Sequence, residues 1–164
     1  MIIMSAWRIH PDTDSDRNID GHDLFEAFRN EGYISYGINE LGDLRHITNV
    51  TGILERILRF CPECKRKIYH ATQLFTLCQK IQNNDIVITR KNGYFYVGKI
   101  SSDYHFEEDK VQAHIRYVVW IEDKFKNNIL SQNLRSYLNY APNKFQTILD
   151  LSEYSDEFNS ILKN

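Results

Sequence analysis

The sequence feature that most constrains the fold is a pair of strand-like segments joined by an Asn-Gly turn. Residues 85–90 (DIVITR) and 94–100 (YFYVGKI) carry β-branched and aromatic side chains with a period of two, as strands do. Asn92 and Gly93 lie between them, and this dipeptide favours tight hairpins because both residues accept a positive φ. The segment therefore predicts an antiparallel hairpin, and residues 115–121 (IRYVVWI) predict a further strand.

The rest of the chain alternates strand-like and helix-like segments. Pro62 ends one predicted helix, and Asp20, in a polar loop, is the candidate N-cap of another. The predicted strands are residues 4–9, 33–38, 85–90, 94–100, 115–121 and 144–149, and the predicted helices are residues 22–30, 51–60, 68–81, 130–138 and 150–162. This order predicts an α+β fold, with a curved antiparallel sheet or small β-barrel and helices packed on its outside.

Composition and charge limit the classes of function. The chain has 164 residues, of which 42% are hydrophobic and 26% charged, which suits one folded domain with a real core. Its formal net charge of −2 argues against a strong non-specific nucleic-acid binder, although a local basic face is compatible with that charge. The apolar residues 1–4 are too short for a signal peptide, and no run approaches a membrane span. We expect a cytoplasmic protein that does not contact a membrane.

Residues 33–44 (YISYGINELGDL) begin as a strand and end in a polar, glycine-marked turn. Tyr36 and Ile38 alternate with small residues, so one face of the strand is apolar. The turn that follows carries Asn39 and Asp43, and its glycines allow close approach of the backbone. From the residues alone, this turn is either an ordinary loop or the rim of a binding site.

The three cysteines suggest reduced thiols or a metal site rather than a disulfide framework. Cys61-Pro-Glu-Cys64, with His70 and Cys78 downstream, contains the ligand types of a zinc site, but it is only half of the usual spacing pattern. The alternative is a proline-marked turn between two helices with ordinary thiols. Both interpretations stay open on the sequence.

Catalytic motifs are weak in this chain. It contains no Ser–His–Asp pattern, no glycine-rich phosphate loop and no HExxH motif. Glu122 and Lys124 offer the Glu-x-Lys part of a PD-(D/E)xK-like nuclease core, but at the end of a predicted strand and without an assured Asp partner. We therefore expect a chain that is not an enzyme, with nuclease chemistry through this pair as the least favoured alternative.

Six short segments occur in order over about residues 4–148: WRI at 7–9, YGINELGDL at 36–44, NDIVI at 84–88, YVGKISSDY at 96–104, HIRYVVW at 114–120 and LSQNLR at 130–135. Together they resemble the EVE-like domain of the PUA superfamily that lies at the N-terminus of modification-dependent restriction proteins, including McrB-type and Mrr-type ones. Two positions depart from the family's pattern. Ile38 stands where the family usually has Trp, and Asn84 replaces a Gly.

The resemblance implies a function and a domain organisation. Such domains bind double-stranded DNA, flip out one nucleotide and hold its modified base, for instance a methylated one, in an aromatic pocket. It implies a PUA/EVE-like fold over residues 1–149, followed by a C-terminal amphipathic helix or linker to a following domain at residues 150–164. It implies no cofactor, and a nuclease or AAA+ motor on another domain or chain would complete the restriction system.

The same resemblance places the base pocket between residues 36–43 and the loop 101–106. Aromatic rings would stack on the base, and Asn and Asp side chains would read its edge by hydrogen bonds. The candidate pocket residues are Tyr36, Asn39, Asp43, Tyr104, Trp120 and Trp7, of which the two tryptophans have core packing as an alternative. The candidate contacts to the nucleic-acid backbone are Arg8, Arg116, Ser131, Gln132, Arg135, Lys65, Arg66 and Lys67.

Two other functions stay open at this point. The PUA superfamily also reads RNA, so an RNA-binding module is the nearest alternative. A protein-interaction or zinc-stabilised scaffold domain built on the region 61–78 is an alternative from another class. Binding of modified and unmodified DNA and RNA by the isolated chain would separate these functions.

Overall fold

The computed structural model describes residues 4–11 and 23–163. Its strands are β1 (Ala6–Ile9), β2 (Tyr33–Tyr36), β3 (Ile86–Lys91), β4 (Tyr94–Ile100), β5 (His105–Phe106), β6 (His114–Lys126) and β7 (Ile148–Asp150). Its helices are α1 (Phe25–Glu31), α2 (Val50–Phe60), α3 (Lys67–Phe75), α4 (Gln132–Asn139), α5 (Ala141–Lys144) and α6 (Ser155–Lys163). A π-helical turn at Thr76–Lys80 continues α3, so the two together fill the predicted helix 68–81.

The strands form one strongly curled sheet, shaped as a half-barrel, in the order β2-β6-β4-β3-β1-β7, with β5 also paired to β6. The predicted α+β class with a curved sheet and helices is confirmed at this level. The sheet differs from the predicted antiparallel arrangement at one pair, because β1 runs parallel to β3, with Ala6 opposite Ile86 and Arg8 opposite Ile88. The first strand therefore lies between β3 and the last strand, β7.

The hairpin of β3 and β4 forms where the Asn-Gly turn predicts it. Lys91 pairs with Tyr94, and the two residues between them have positive φ values, 53° at Asn92 and 82° at Gly93. Such values at both central positions match the right-handed twist of the flanking strands. The antiparallel register then continues without interruption along the whole of β3.

Two groups of buried side chains form the core, one on each face of the curled sheet. Along β3 the side chains alternate between them, since Val87 belongs to one group and Ile86 and Ile88 to the other. On the first face the sheet packs against α1, α2 and α3, and on the second face it packs against α4 and α6. The helices therefore cover both faces of the sheet.

The C-terminal helix α6 belongs to the second core. Phe158 is fully buried, and its ring centroid lies 6.3 Å from that of Phe95 on β4. The amphipathic helix predicted at the C-terminus is therefore present and packs against the sheet. The predicted domain boundary after residue 149 falls inside β7, and the link to a following domain stays a prediction.

Several elements differ in detail from the sequence prediction. The short elements β5 and α5 were not predicted, and β6 continues to Lys126, past the predicted end at residue 121. The extra residues of β6 are mostly polar and exposed, so their strand structure depends on pairing with β4 rather than on an apolar pattern. Asp20 and most of the polar loop 10–21 lie outside the described residues. Among the residues described, no helix is long and apolar enough to cross a membrane.

Candidate binding pocket

A polar cavity of about 720 Å³ opens beside the sheet, where the π-helical end of α3 meets the loop after β4. Its volume is within the range of small-molecule sites, about 300–1,000 Å³. It lies against the loop 101–106, as predicted, but on its other side it is bounded by residues 78–83 rather than by residues 36–43. Its lining residues are Arg45, Cys78, Gln79, Ile81, Gln82, Asn83, Asp103, Tyr104, His105 and Arg116.

Arg116 of β6 forms the floor of this cavity and is 2% exposed. Its Nε donates to Ser102 O at 2.7 Å, and its Nη1 donates to Leu77 O at 3.0 Å and to Ile81 O. The last two acceptors are carbonyls at the end of the α3 segment, where a cation is favourable because the helix dipole is negative there. Burial lowers the pKa of the guanidinium, and these backbone acceptors satisfy it. Arg116 therefore braces the pocket wall.

A chain of hydrogen bonds runs behind the cavity through Tyr104 and His114. His114 Nε2 lies 2.9 Å from Ile38 O, and because a carbonyl only accepts, this nitrogen carries the proton. Burial lowers the pKa of His114 to about 4, so the ring is neutral and its Nδ1 accepts from the Tyr104 hydroxyl at 2.7 Å. The same hydroxyl accepts from Leu44 N–H at 3.1 Å. The chain thus fixes the tautomer of His114 and joins β6 to the 38–44 turn.

That turn has an unusual backbone, which the hydrogen-bond chain holds in place. Ile38 has a φ of 69°, an outlier for a β-branched residue, while its side chain is 2% exposed in the core. Gly42 also has a positive φ of 69°, which glycine adopts at little cost. Arg56 Nη1 of α2 donates to Leu41 O at 2.8 Å and supports the turn from the other side. Ile38, which stands where the resembling family has Trp, is a core residue in this structure.

The predicted polar readers of the base edge occupy two different environments. Asp43 is exposed beside the cavity, and its Oδ1 accepts from the backbone N–H of the lining residue Arg45 at 2.9 Å. Asn39 does not line the cavity, and both ends of its side-chain amide hydrogen-bond to the loop before β6. Its Nδ2 donates to Val111 O at 3.0 Å and its Oδ1 accepts from Ala113 N–H at 2.9 Å. In this structure, Asn39 shapes that loop.

Of the predicted aromatic residues, Tyr104 alone lines the cavity. Tyr36 is 3% exposed, with its hydroxyl 2.6 Å from His70 Nδ1. Trp7 is 7% exposed and donates from Nε1 to Asp85 Oδ2 at 3.0 Å, in line with its alternative interpretation as a core residue.

Trp120 lies elsewhere, beside α1. Its Nε1 donates to Phe28 O at 2.7 Å, and its ring lies next to Arg29, whose Cζ is 5.6 Å from the ring centroid. A Cβ atom on Gly98 would lie 2.8 Å from Trp120 Cε3, so the glycine on β4 makes room for the indole. The sheet therefore does not bring Trp120 to the cavity.

The residues predicted to contact the nucleic-acid backbone also fall into a buried set and an exposed set. Arg8 is 1% exposed, and its Nη2 donates to Asn143 O at 3.0 Å and to Gln146 O. Burial lowers the pKa of Arg8 to about 10. Ser131 caps α4 by accepting from Leu134 N–H at 3.2 Å. The remaining candidates lie outside the core: Gln132 and Arg135 on α4, and Lys65, Arg66 and Lys67 at the turn between α2 and α3.

The cysteines do not form the zinc site that the sequence left open as one interpretation. Cys61 and Cys64 are joined by a disulfide, which corrects the expectation of reduced thiols or a metal. His70 faces Tyr36, and Cys78 is a buried thiol on the wall of the cavity, with its pKa raised to about 12 by burial. In the described part of the chain, no group of three or more His, Cys, Asp or Glu residues is placed to hold a metal ion.

Eight residues of the cavity were not among the predicted site residues: Arg45, Cys78, Gln79, Ile81, Gln82, Asn83, Asp103 and His105. The amide of Asn83 lies between two charged residues, accepting from Arg116 Nη2 at 3.4 Å and donating to Asp103 Oδ1 at 3.4 Å. Asn84, the next residue, has a φ of 73°. Asn tolerates this conformation better than most residues, so Asn84 suits the turn that presents Asn83.

The fold and the cavity define an α+β protein with a curled half-barrel sheet and a polar pocket at its side. A family model described as a domain of unknown function, DUF8426, matches residues 7–142. This span includes most of the 164 residues, so the chain belongs to that family. No curated protein and no solved structure matches the chain.

Proposed function

We propose that this chain is a DNA-binding recognition module that holds a flipped, modified base in the cavity beside Tyr104 and Arg116. The observation that carries the proposal is the cavity itself. It lies against the loop 101–106, where the sequence resemblance predicts a base pocket, and it contains two residues that the resemblance singles out. The resemblance supports the restriction context, in which a nuclease or AAA+ motor on another domain or chain would cut or translocate the DNA.

The lining suits a planar polar ligand. Both His105 and Arg45 line the cavity; His105 is half-buried, with its ring centroid 5.4 Å from that of Tyr117, and Arg45 is exposed. Imidazole rings and guanidinium planes both stack on unpaired bases. Gln82, Asn83 and Asp103 supply donors and acceptors for a base edge. In the proposal, His105 and Arg45 enclose the base and the amides and carboxylate fix its identity.

The energetic terms are compatible with selective binding. Flipping a nucleotide costs a few kcal/mol, and one stacked base returns about 1–3 kcal/mol. The floor residue Arg116 keeps its own acceptors, and the pocket thiol of Cys78 is neutral, so neither needs to rearrange for a base to enter. Phosphate contacts would come from exposed cations such as Arg135 on α4.

The test is a binding panel for the purified chain. Matched oligonucleotides that are unmodified or carry N6-methyladenine, 5-methylcytosine or 5-hydroxymethylcytosine, as duplex DNA and as RNA, are titrated by fluorescence anisotropy at two salt concentrations. One duplex should bind about tenfold tighter or more than its unmodified match, because a methyl group in a shaped pocket is worth about 1–3 kcal/mol. Equal binding of all duplexes would contradict the proposal.

Substitutions locate the site. His105→Ala and Arg45→Ala should each weaken binding of the preferred duplex and reduce its preference over the unmodified one, because each removes a flat surface from the pocket. His46→Ala is the matched control, since His46 is exposed and follows Arg45 in the chain but does not line the cavity. If both pocket variants keep the full preference while the wild type shows it, the base binds elsewhere on the protein.

The other functions are outcomes of the same measurements. Tighter binding of RNA than of DNA would favour an RNA-binding module of the same superfamily. The zinc-stabilised alternative loses its ligands to the Cys61–Cys64 disulfide. Thiol titration of the denatured, unreduced protein should find one free thiol, that of Cys78, whereas a zinc site would give three.

A further inference from the structure

The turn between α2 and α3 carries an open groove of about 790 Å³ on a different part of the surface. Its floor is apolar and comes from Leu54 and Leu58 on α2 and from Ile68 and Tyr69 on α3. Cys64 lies in the same wall, and its disulfide with Cys61 ties the end of α2 to the turn before α3. The groove therefore has a fixed base, and we call it the α2–α3 groove.

The apolar side chains of this groove are unusually open to solvent. Leu54 packs against the main core, but Leu58, one helical turn further along α2, is 55% exposed. Ile68, across the groove, is 69% exposed. Two large aliphatic side chains that line one concave surface and remain exposed are typical of a site that a partner covers.

The rim of the α2–α3 groove is basic. Lys65, Arg66 and Lys67 are consecutive, against one acidic lining residue, Glu63, in a chain whose net charge is −2. Arg66 Cζ lies 4.5 Å from the centroid of the Tyr69 ring, and Lys67 Nζ donates to Cys64 O at 2.7 Å. The positive charge is therefore held at the edge of the apolar floor.

We propose that the α2–α3 groove binds an acidic amphipathic helix of a partner protein. The apolar ridge of that helix would lie on Leu58 and Ile68, and its carboxylates would face the basic rim, as in helix-in-groove recognition. This proposal does not depend on the base pocket. With a rise of about 1.5 Å per residue, residues 67–80 separate the two sites by roughly 20 Å along one helix.

Two other occupants fit the groove less well. A DNA backbone would use the three cations but would leave Leu58 and Ile68 in water. A second copy of the chain, packed about a two-fold axis, would bring the two basic rims towards each other, because an isologous interface pairs the same patch with itself. Charge complementarity therefore favours an acidic, apolar partner.

The experiment uses a labelled synthetic peptide of about 18 residues, long enough to form a helix, with Leu at every third and fourth position and Glu between. A scrambled peptide of the same composition tests the periodicity, and a duplex of unmodified DNA tests phosphate binding. Ile68→Ser and Lys65→Glu probe the groove. Ile129→Ser and Lys126→Glu, at exposed positions on other elements, are the matched controls.

We expect saturable binding of the periodic peptide, weakened about tenfold or more by Ile68→Ser, as burial of one aliphatic side chain predicts. Lys65→Glu should weaken it too and make it less salt-dependent, while both controls and Arg45→Ala bind as wild type. The proposal is overturned if neither peptide binds, if the scrambled peptide binds equally, or if Ile68→Ser has no effect. Competition by DNA that depends on Lys65 and not on Ile68 would assign the surface to phosphates instead.

Discussion

The two ends of the α3 segment, residues 67–80, differ in which side chains are buried around them: polar ones at one end, and apolar ones left exposed at the other. At its C-terminal end, Arg116 and Tyr104 are buried; Arg116 hydrogen-bonds to backbone carbonyls and Tyr104 hydrogen-bonds to His114. At its N-terminal end, Leu58 and Ile68 lie in solvent beside a basic rim. The cavity at the first end is polar, and the groove at the second end is apolar.

This difference shows that residue type alone does not reveal which groups face a ligand. A buried arginine with four acceptors is a brace, because its charge is already satisfied within the protein. An exposed isoleucine in a groove has no such partner and is available for one. Substitutions test this difference, because changing the buried residues should lower the free energy of unfolding and changing the exposed ones should not.

The largest effect should come from Arg116→Met, which keeps much of the aliphatic volume but removes every donor. Because Ser102 O, Leu77 O and Ile81 O would lose their donor inside the protein, at about 1–3 kcal/mol for each unpaired buried acceptor, we expect the free energy of unfolding to fall by about 3 kcal/mol or more. Chemical denaturation followed by circular dichroism measures it. Arg135→Met, on the exposed face of α4, should change it by less than about 0.5 kcal/mol. If Arg116→Met and Arg135→Met unfold at similar denaturant concentrations, Arg116 does not brace the fold as its hydrogen bonds indicate.

Tyr104→Phe should have the second-largest effect. The change leaves Leu44 N–H and His114 Nδ1 without a partner in a buried site, which costs about 1–3 kcal/mol. Amide hydrogen exchange at Leu44 should become faster, which a simple loss of packing elsewhere would not produce. Tyr140→Phe, at a residue that is 63% exposed, is the control and should leave both quantities unchanged.

The fold was largely predictable because it depends on local patterns. Three elements each show a hydrophobic period or a turn motif within a few residues: the Asn-Gly hairpin, the helix that ends in a π-helical turn and the C-terminal amphipathic helix. The parallel pairing of β1 with β3 joins residues about 80 positions apart, so no local pattern encodes it. The short elements β5 and α5 depend on pairing and on neighbouring helices in the same way.

One wall of the cavity, the loop 101–106, could be predicted from the sequence, but the opposite wall and the contacts of the side chains could not. The segments at 38–44, 101–106 and 114–116 do meet, through His114 and Tyr104. The sequence could not tell that these polar groups would satisfy one another, because that depends on which side chains share the inside of the curled sheet. For the same reason, Asn83 and Asp103 were missed, since they reach the cavity only through the end of α3 and the loop that faces it.

The pH dependence of stability tests the buried network from another direction. Because the pKa of His114 is about 4 in the folded protein and about 6.5 in an unfolded chain, the unfolded state binds more protons between these values. The stability that His114 contributes is therefore complete above pH 6.5 and is lost as the pH falls towards 4. Between pH 7 and pH 5 we expect a loss of up to about 2 kcal/mol from this residue.

The measurement compares wild type with His114→Gln, which does not titrate. The difference between their free energies of unfolding should change by that amount between pH 7 and pH 5, while the carboxylates contribute equally to both. Nitrogen-15 NMR of the wild type at pH 6 should show a neutral ring with the proton on Nε2. A protonated His114 at pH 6 would contradict the hydrogen-bond chain drawn from Ile38 to Leu44.

The smallest effect on stability should come from Ile68→Ser. A small effect would show that Ile68, in the α2–α3 groove, does not belong to the core. Ile68 is 69% exposed, so its removal should change the free energy of unfolding by less than about 0.5 kcal/mol. Ile57 of α2 is fully buried, and Ile57→Ala should cost about 2–5 kcal/mol. If Ile68→Ser proves comparably destabilising, the groove is part of the core and has no room for a partner. If stability is unchanged while peptide binding is lost, the exposed isoleucine acts in recognition and not in folding.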